Sequence, residues 1–209
     1  MSNKKQTTPK KNDRPRRSPS ADRQRDAERS RRLLLASALD EFSEKGFAGA
    51  RTENIAARAG VNKQLITYYF GGKEGLYRAV GEQWLELEQD FTKPGMPFDE
   101  LIDAYARNID PKMARLLVWE GLRPTHTTEH EDPVGNDDES VADLRKRQQA
   151  GEIASELDPR FTILAMMGAQ LVPIATPQLA RRLTGLDPES PEFMKEYRVF
   201  LQQLVERLK

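Results

Sequence analysis

Three side chains at fixed intervals constrain this 209-residue chain more than any other feature: Ala56, Gly60 and Ile66. Ala56 stands where two helices cross closely and only a small side chain fits. Gly60, four residues on, permits the positive φ of a tight turn. Ile66, six further, points back into the same small core, and Ile55, Val61 and Phe70 complete the apolar set. The spacing predicts short helices over 52–59 and 63–70, with Asn62 as the N-cap of the second. Such a pair is either an ordinary helical hairpin or a helix-turn-helix whose second helix can lie in the major groove of DNA.

The rest of the chain is also written in the helical period. From Arg29, Leu34, Ala38 and Phe42 recur at steps of four with Leu35 and Leu39 beside them, and Gly46 after Lys45 suits a helix end. After Gly71-Gly72 a long helix from Lys73 carries Leu76, Val80, Trp84, Leu87 and Phe91, running about 30 Å at 1.5 Å per residue until Lys93-Pro94-Gly95. Further helices are expected over 98–109, 111–122, 139–156, 159–175, 178–183 and 191–208, with a polar, acidic loop from Arg123 to about Asp138. Strand-like alternation is not sustained anywhere. The expected fold is all-α: a three-helix head with a helix-turn-helix, followed by a larger helical body for ligand binding and dimerisation.

Charge divides the chain. Residues 1–80 hold 18 Lys/Arg against 9 Asp/Glu, and residues 81–209 hold 15 against 24, so a net charge of zero conceals a basic half and an acidic half. Such asymmetry suggests that one half meets a polyanion. Much of the excess lies in residues 1–32, with 12 basic and 4 acidic side chains. Residues 1–28 contain no Leu, Ile, Val, Phe, Tyr or Trp and cannot offset chain entropy by burial, so a disordered basic tail is expected there. That tail is either an arm lying along DNA or a solvated extension. The absence of cysteine excludes disulfides, thiol catalysis and Cys-ligated zinc. No apolar run reaches the length of a membrane span, and the polar N-terminus does not fit a secretory signal. A soluble cytoplasmic protein without membrane contact is expected.

Residues 33–80, LLLASALDEFSEKGFAGARTENIAARAGVNKQLITYYFGGKEGLYRAV, resemble the DNA-binding domain of the tetracycline-repressor (TetR) family. Phe42, Gly46-Phe47, Ile55-Ala56, Ala59-Gly60-Val61, Tyr68, Phe70, Lys73-Glu74 and Leu76-Tyr77 carry the resemblance. It implies a homodimeric transcriptional repressor, a palindromic double-stranded DNA operator, and an effector bound in the body. The corresponding domains are a tail over 1–28, a helix-turn-helix domain over 29–75 and a body over 76–209. It also implies that Asn62, Lys63 and Gln64 meet base edges or phosphates, and that Tyr68 and Tyr69 contact phosphate or a thymine methyl, although both tyrosines also suit plain packing. Lys73 resembles the family's phosphate-binding lysine, and Arg51 and Thr52 open a helix whose N–H groups can hold a phosphate. Gln64 replaces a frequent glycine and can offer a bidentate amide to adenine; Thr67 replaces a frequent tyrosine.

In the body, Trp84, Phe98, Tyr105, Met113, Trp119, Met166, Met167 and Gln170 are candidate liners of an effector pocket, each of which also reads as core. Helices 159–175 and 191–208 are candidate dimer helices, the first apolar nearly all round and so expected to be buried on more than one side. His126 and His130, with Glu129, Glu131 and Asp132, have metal-ligand chemistry but occupy a polar loop, so no metal or cofactor is expected. No nucleophile–base pair is apparent, and an enzyme is not expected. The leading reading is a repressor released from its operator by a small apolar or amphipathic ligand. A regulator without such an effector, acting as an activator or under a protein partner, is the alternative.

Overall fold

The computed structural model describes residues 21–122 and 137–208 and, among them, ten helices and no strand. The all-α expectation holds. The helices are α1 (Ala21–Gly49), α2 (Thr52–Ala59), α3 (Gln64–Phe70), α4 (Lys73–Phe91), α5 (Phe98–Asn108), α6 (Pro111–Gly121), α7 (Asp137–Gln149), α8 (Pro159–Ala175), α9 (Pro177–Thr184) and α10 (Pro191–Glu206).

Where a capping residue precedes proline, the helix starts where the sequence says. Asp110, Asp158 and Ser190 accept hydrogen bonds from the backbone N–H groups of Lys112, Arg160 and Phe193, and proline follows each as the first helical residue. Several boundaries differ from expectation. Residues 21–28, expected to be disordered, belong to α1, because Arg, Gln, Glu and Ala are good helix formers and prolong a helix that is already nucleated in the core. Residues 1–20 lie outside the described part. The helix expected over 139–156 stops at Gln149, and the chain turns at Gly151. There the buried Arg147 guanidinium donates to Asp143, the Met96 carbonyl and Glu152, while the Gln148 amide donates to the carbonyls of Ala154 and Leu157. Side-chain bonds to the folded-back segment thus replace another helical turn. Of the expected loop at 123–138, residues 123–136 with His126 and His130 lie outside the described residues, and Asp137 and Asp138 open α7.

Two apolar clusters organise the packing. The first gathers Leu34, Leu35, Ala38 and Phe42 of α1, Ile55, Ala56 and Ala59 of α2, Ile66 of α3, and Leu76, Tyr77, Ala79 and Val80 of α4; Met113 and Leu116 of α6 complete it. The second joins Phe98, Ile102 and Ala106 of α5 to Leu144, Ile153, Met166, Leu201 and Val205. Full burial of each large side chain contributes about 1.5–3 kcal/mol. Asp103 of α5 latches onto α10 by accepting from Arg198 at 2.8 and 3.0 Å, and it also pairs with Arg107. Burial pushes the Asp103 carboxyl up, but the two arginines outweigh it and hold the group below the usual carboxylate range.

Helix α6 contributes to the first cluster, lies across α1 and also packs on α8, which carries Met166 of the second cluster. The Trp119 indole N–H donates to the Ser43 carbonyl at 3.1 Å, and its ring packs against Gly46. Lys112 pairs with Asp40 at 2.5 Å, and the Tyr77 hydroxyl of α4 donates to Glu120. Gly46 has φ 65°, ψ 173° and interrupts α1, so the glycine is needed both for its backbone and for the space the indole occupies.

On the outer side, α8 departs from expectation. Phe161 and Leu164 are each 66% exposed, and Met167 and Val172 are exposed with them. Met194, Val199 and Phe200 of α10 are exposed too. One face of this apolar helix therefore has no cover within the single chain. A 93° bend separates α8 from α9, and no single described helix is long and apolar enough to cross a membrane.

Candidate nucleic-acid interface

The two short helices keep the geometry their spacing demands. Gly60 closes α2 at φ 65°, ψ 30°, and its N–H reaches the carbonyls of Ala56 and Ala57. Ala56 and Ile66 are buried against α1 and α4. With Ile66 inward, Gln64, Thr67 and Tyr68 are turned outward and, with Leu65, line a shallow open groove on the outer face of α3. Thr67 and Tyr68 stand one helical turn beyond Gln64, an arrangement by which a recognition helix presents side chains to base edges.

The expected contact residues occupy different situations. Tyr68 is 78% exposed, whereas Tyr69 packs partly buried against the head cluster, so the packing alternative fits Tyr69 and not Tyr68. The Asn62 side chain caps α3, its Oδ1 accepting from the Gln64 N–H at 2.8 Å. Lys63 is bound to Glu53 of α2 at 2.5 Å, an exposed contact between the two helices that holds the Glu53 carboxyl below its ordinary range. Lys73 starts α4 with its ammonium 4.7 Å from the Phe47 ring centroid, so an aromatic shelf fixes its position. Arg51 is exposed immediately before α2, and Thr52 is the first residue of that helix.

One determinant of this surface was missed from the sequence. Glu41 of α1 is fully buried, and its Oε1 accepts from Asn54 Nδ2 at 2.9 Å, Lys45 Nζ at 2.9 Å and the Arg51 N–H at 3.3 Å. Its Oε2 makes no hydrogen bond and faces the Arg58 guanidinium at 3.7 Å. Burial pushes the carboxyl up, but the bonds from Asn54, Lys45 and Arg51 prevail and hold it below its ordinary value. Glu41 thereby ties α1 to the beginning of α2. The available signal was a carboxylate three residues after Ala38 and next to Phe42, inside the apolar stripe.

The eight candidate pocket residues are not gathered in one place. Met113 is buried in the head cluster and Trp84 packs against it, while Trp119 is bound to Ser43 at the joint. Phe98 and Met166 are core residues of the second cluster. Tyr105 donates its hydroxyl to Glu88 and sets its ring against Phe91 at 5.5 Å; Gln170 is half-buried, and Met167 is on the open face of α8. On α6, Met113 and Trp119 lie on the side that leans on α1, while the helix also packs against α8.

Comparison with known proteins agrees along the length of the chain. Residues 34–80 match the family model described as bacterial regulatory proteins of the tetR family, and residues 99–207 match a tetracyclin repressor-like C-terminal domain. The chain is 33% identical over 175 residues to the HTH-type transcriptional repressor SCO4008 of Streptomyces coelicolor, covering 77% of this chain and 86% of that one. It is 46% identical over 163 residues to the HTH-type transcriptional regulator RutR of Escherichia coli O157:H7, covering 73% and 69%. Among solved structures, the putative transcriptional regulator SCO4942 from Streptomyces coelicolor aligns with a TM-score of 0.65 at 26% identity, covering 85% of this chain and 97% of that one.

Proposed function

Because this chain belongs to the TetR family of transcriptional regulators and is a DNA-binding regulator, we propose that it works as a homodimeric repressor. Its two recognition helices read a palindromic operator, and a small apolar or amphipathic ligand in the body releases it. One recognition helix covers a half-site, and two heads must reach successive major grooves about 34–36 Å apart or a somewhat larger span. The observation that carries the dimer is the open apolar face of α8 and α10, with Phe161, Leu164 and Phe200 exposed. Isolated apolar residues on a surface need no explanation, but a row of them on neighbouring helices marks an interface.

Within this reading, Gln64, Thr67 and Tyr68 contact base edges, while Arg51, Thr52 and Lys73 hold phosphates. Asn62 and Lys63 act chiefly by setting the position of α3, with Lys63 exchanging Glu53 for a phosphate on binding. Tyr69 supports the helix from within. Tyr68→Ala is expected to leave thermal stability nearly unchanged, within about 0.5 kcal/mol, and to weaken operator binding at least tenfold. Tyr69→Ala is expected to cost about 2 kcal/mol of head stability through lost packing. Parallel melting curves and DNA titrations of the two variants separate these roles.

Ligand release follows from the way the body holds the head. A ligand seated in the body beside Tyr105 would act on α4 through the Tyr105–Glu88 contact, and one reaching α6 would act through Glu120 and Tyr77. Moving either helix moves the α1 end that Trp119 and Lys112 hold, and so changes the spacing of the two heads. The ligand must favour the released arrangement by about 1.4 kcal/mol for every tenfold loss of operator affinity.

The test is sedimentation of the full chain beside a Leu164→Asp/Phe200→Asp variant. The parent is expected to sediment as a dimer; the variant is expected to be monomeric, with melting of the head intact and affinity for a palindromic duplex lowered at least a hundredfold. A variant that remains dimeric and binds normally contradicts the proposal.

A further inference from the structure

The head carries eleven described cations, and they divide into two groups. Lys45, Arg58 and Lys63 are held by Glu41, Glu44 and Glu53, and Arg25 also has a partner. The side chains of Arg23, Arg29, Arg31, Arg32, Arg51, Lys73 and Arg78 make no hydrogen bond or ion pair among the described residues. Four of those seven lie on the first turns of α1, N-terminal to Leu34. That stretch is helical for thirteen residues before its first fully buried side chain, or about 20 Å.

One contact shows which way the extension faces. The Arg31 guanidinium lies over the Phe70 ring, 5.6 Å from its centroid. Phe70 is the last residue of the recognition helix, and Gly71-Gly72 leads from it to Lys73, whose ammonium rests on Phe47 in the same manner. An arginine stacked by its face keeps its edge N–H groups free, and these match a phosphate in the plane of the fork. Arg23 and Ala27 precede Arg31 by eight and four residues and continue its stripe, so Arg23 stands about 12 Å farther out along the same face.

We propose that Arg23 and Arg31 of α1 form a second phosphate-binding row, contacting the DNA backbone outside the bases read by α3. The row rests on the DNA-binding reading above and adds a flank to it. It supplies affinity and footprint length without base preference, because phosphate contacts position a protein and do not report sequence.

The test uses the full chain and a duplex selected from random DNA by the parent protein, in two lengths: the selected core alone, and the core with about ten flanking base pairs on each side. Each phosphate contact contributes about 0.9 to the slope of log affinity against log salt. The Arg23→Ala/Arg31→Ala variant is expected to lose about 1.8 of that slope per head on the long duplex, while selecting the same core sequence. The parent is expected to bind the long duplex at least tenfold more tightly than the short one, and the variant to lose most of that preference. Arg23→Glu alone, which touches nothing in the head core, is expected to show the same flank-specific loss with an unchanged melting temperature. Equal slopes and equal flank dependence for parent and variants overturn the inference while leaving the DNA-binding reading intact. Failure of the parent to select any duplex overturns both.

Discussion

Gly46→Val is expected to destabilise the head by about 3 kcal/mol. A β-branched side chain at a left-handed φ costs roughly 1–2 kcal/mol, and overpacking typically adds 1–3 kcal/mol. Both conditions hold at this residue. Its φ is 65°, and a Cβ built there would stand 3.0 Å from two carbons of the Trp119 ring. The second contribution can be isolated. Trp119→Ala removes the obstructing ring, so the double variant should recover the steric part, about 1–2 kcal/mol of coupling in a double-mutant cycle, and retain the backbone part. Urea unfolding followed by circular dichroism measures all four corners. Strict additivity would mean that α6 does not press on α1 here, and the route from body to head through Trp119 would have to be abandoned.

Glu41→Ala is expected to cost about 2–3 kcal/mol, since hydrogen bonds to a charged group contribute about 1.5–3 kcal/mol each and the exposed donors Lys45 and Arg58 regain water when it is lost. The Arg51 N–H and the Asn54 amide lose the acceptor that fixes the start of α2, so operator binding should fall with stability. The pH dependence has a definite sign. Glu41 is held below its ordinary value when folded. Its contribution is therefore complete above the ordinary glutamate range, near pH 4.3 by order of magnitude, and is lost as pH falls through the lower folded value. The parent should lose stability on acidification more steeply than Glu41→Gln, with the two curves parallel above about pH 6. Identical acid limbs would show that the carboxylate is not held in its charged form.

The sequence carried the head almost completely, because its information is local. Ala56, Gly60 and Ile66 specify a turn and a crossing; in the body, Asp110, Asp158 and Ser190 before proline likewise specify helix starts. What escaped was settled between elements distant in the chain. The Arg147 and Gln148 bonds that stop α7 depend on Met96, Ala154 and Leu157 and have no periodic signature. The same holds for Trp119 against Gly46, a contact between α6 and α1. The polar character of residues 21–28 was plain, and low hydrophobicity there indicated disorder; helix propensity and continuity with α1 decide otherwise. Glu41 was legible in principle, as a carboxylate on an apolar stripe, and Asn54 thirteen residues later is the partner that makes it tolerable. The open face of α8 illustrates a further point: an all-round apolar pattern predicts burial without saying whether the cover comes from the same chain.

Two copies of this chain are expected to read one palindrome through α3. Selecting duplexes from a random pool at physiological salt with excess non-specific competitor, then weighing the resulting complex, tests it most directly, because non-specific phosphate binding weakens steeply under those conditions. An enriched inverted repeat is expected, with half-sites about one helical turn or somewhat more apart, bound by a whole number of dimers and lost on Gln64→Ala/Tyr68→Ala substitution. A pool that stays unenriched, or a single half-site bound by one chain, would contradict it.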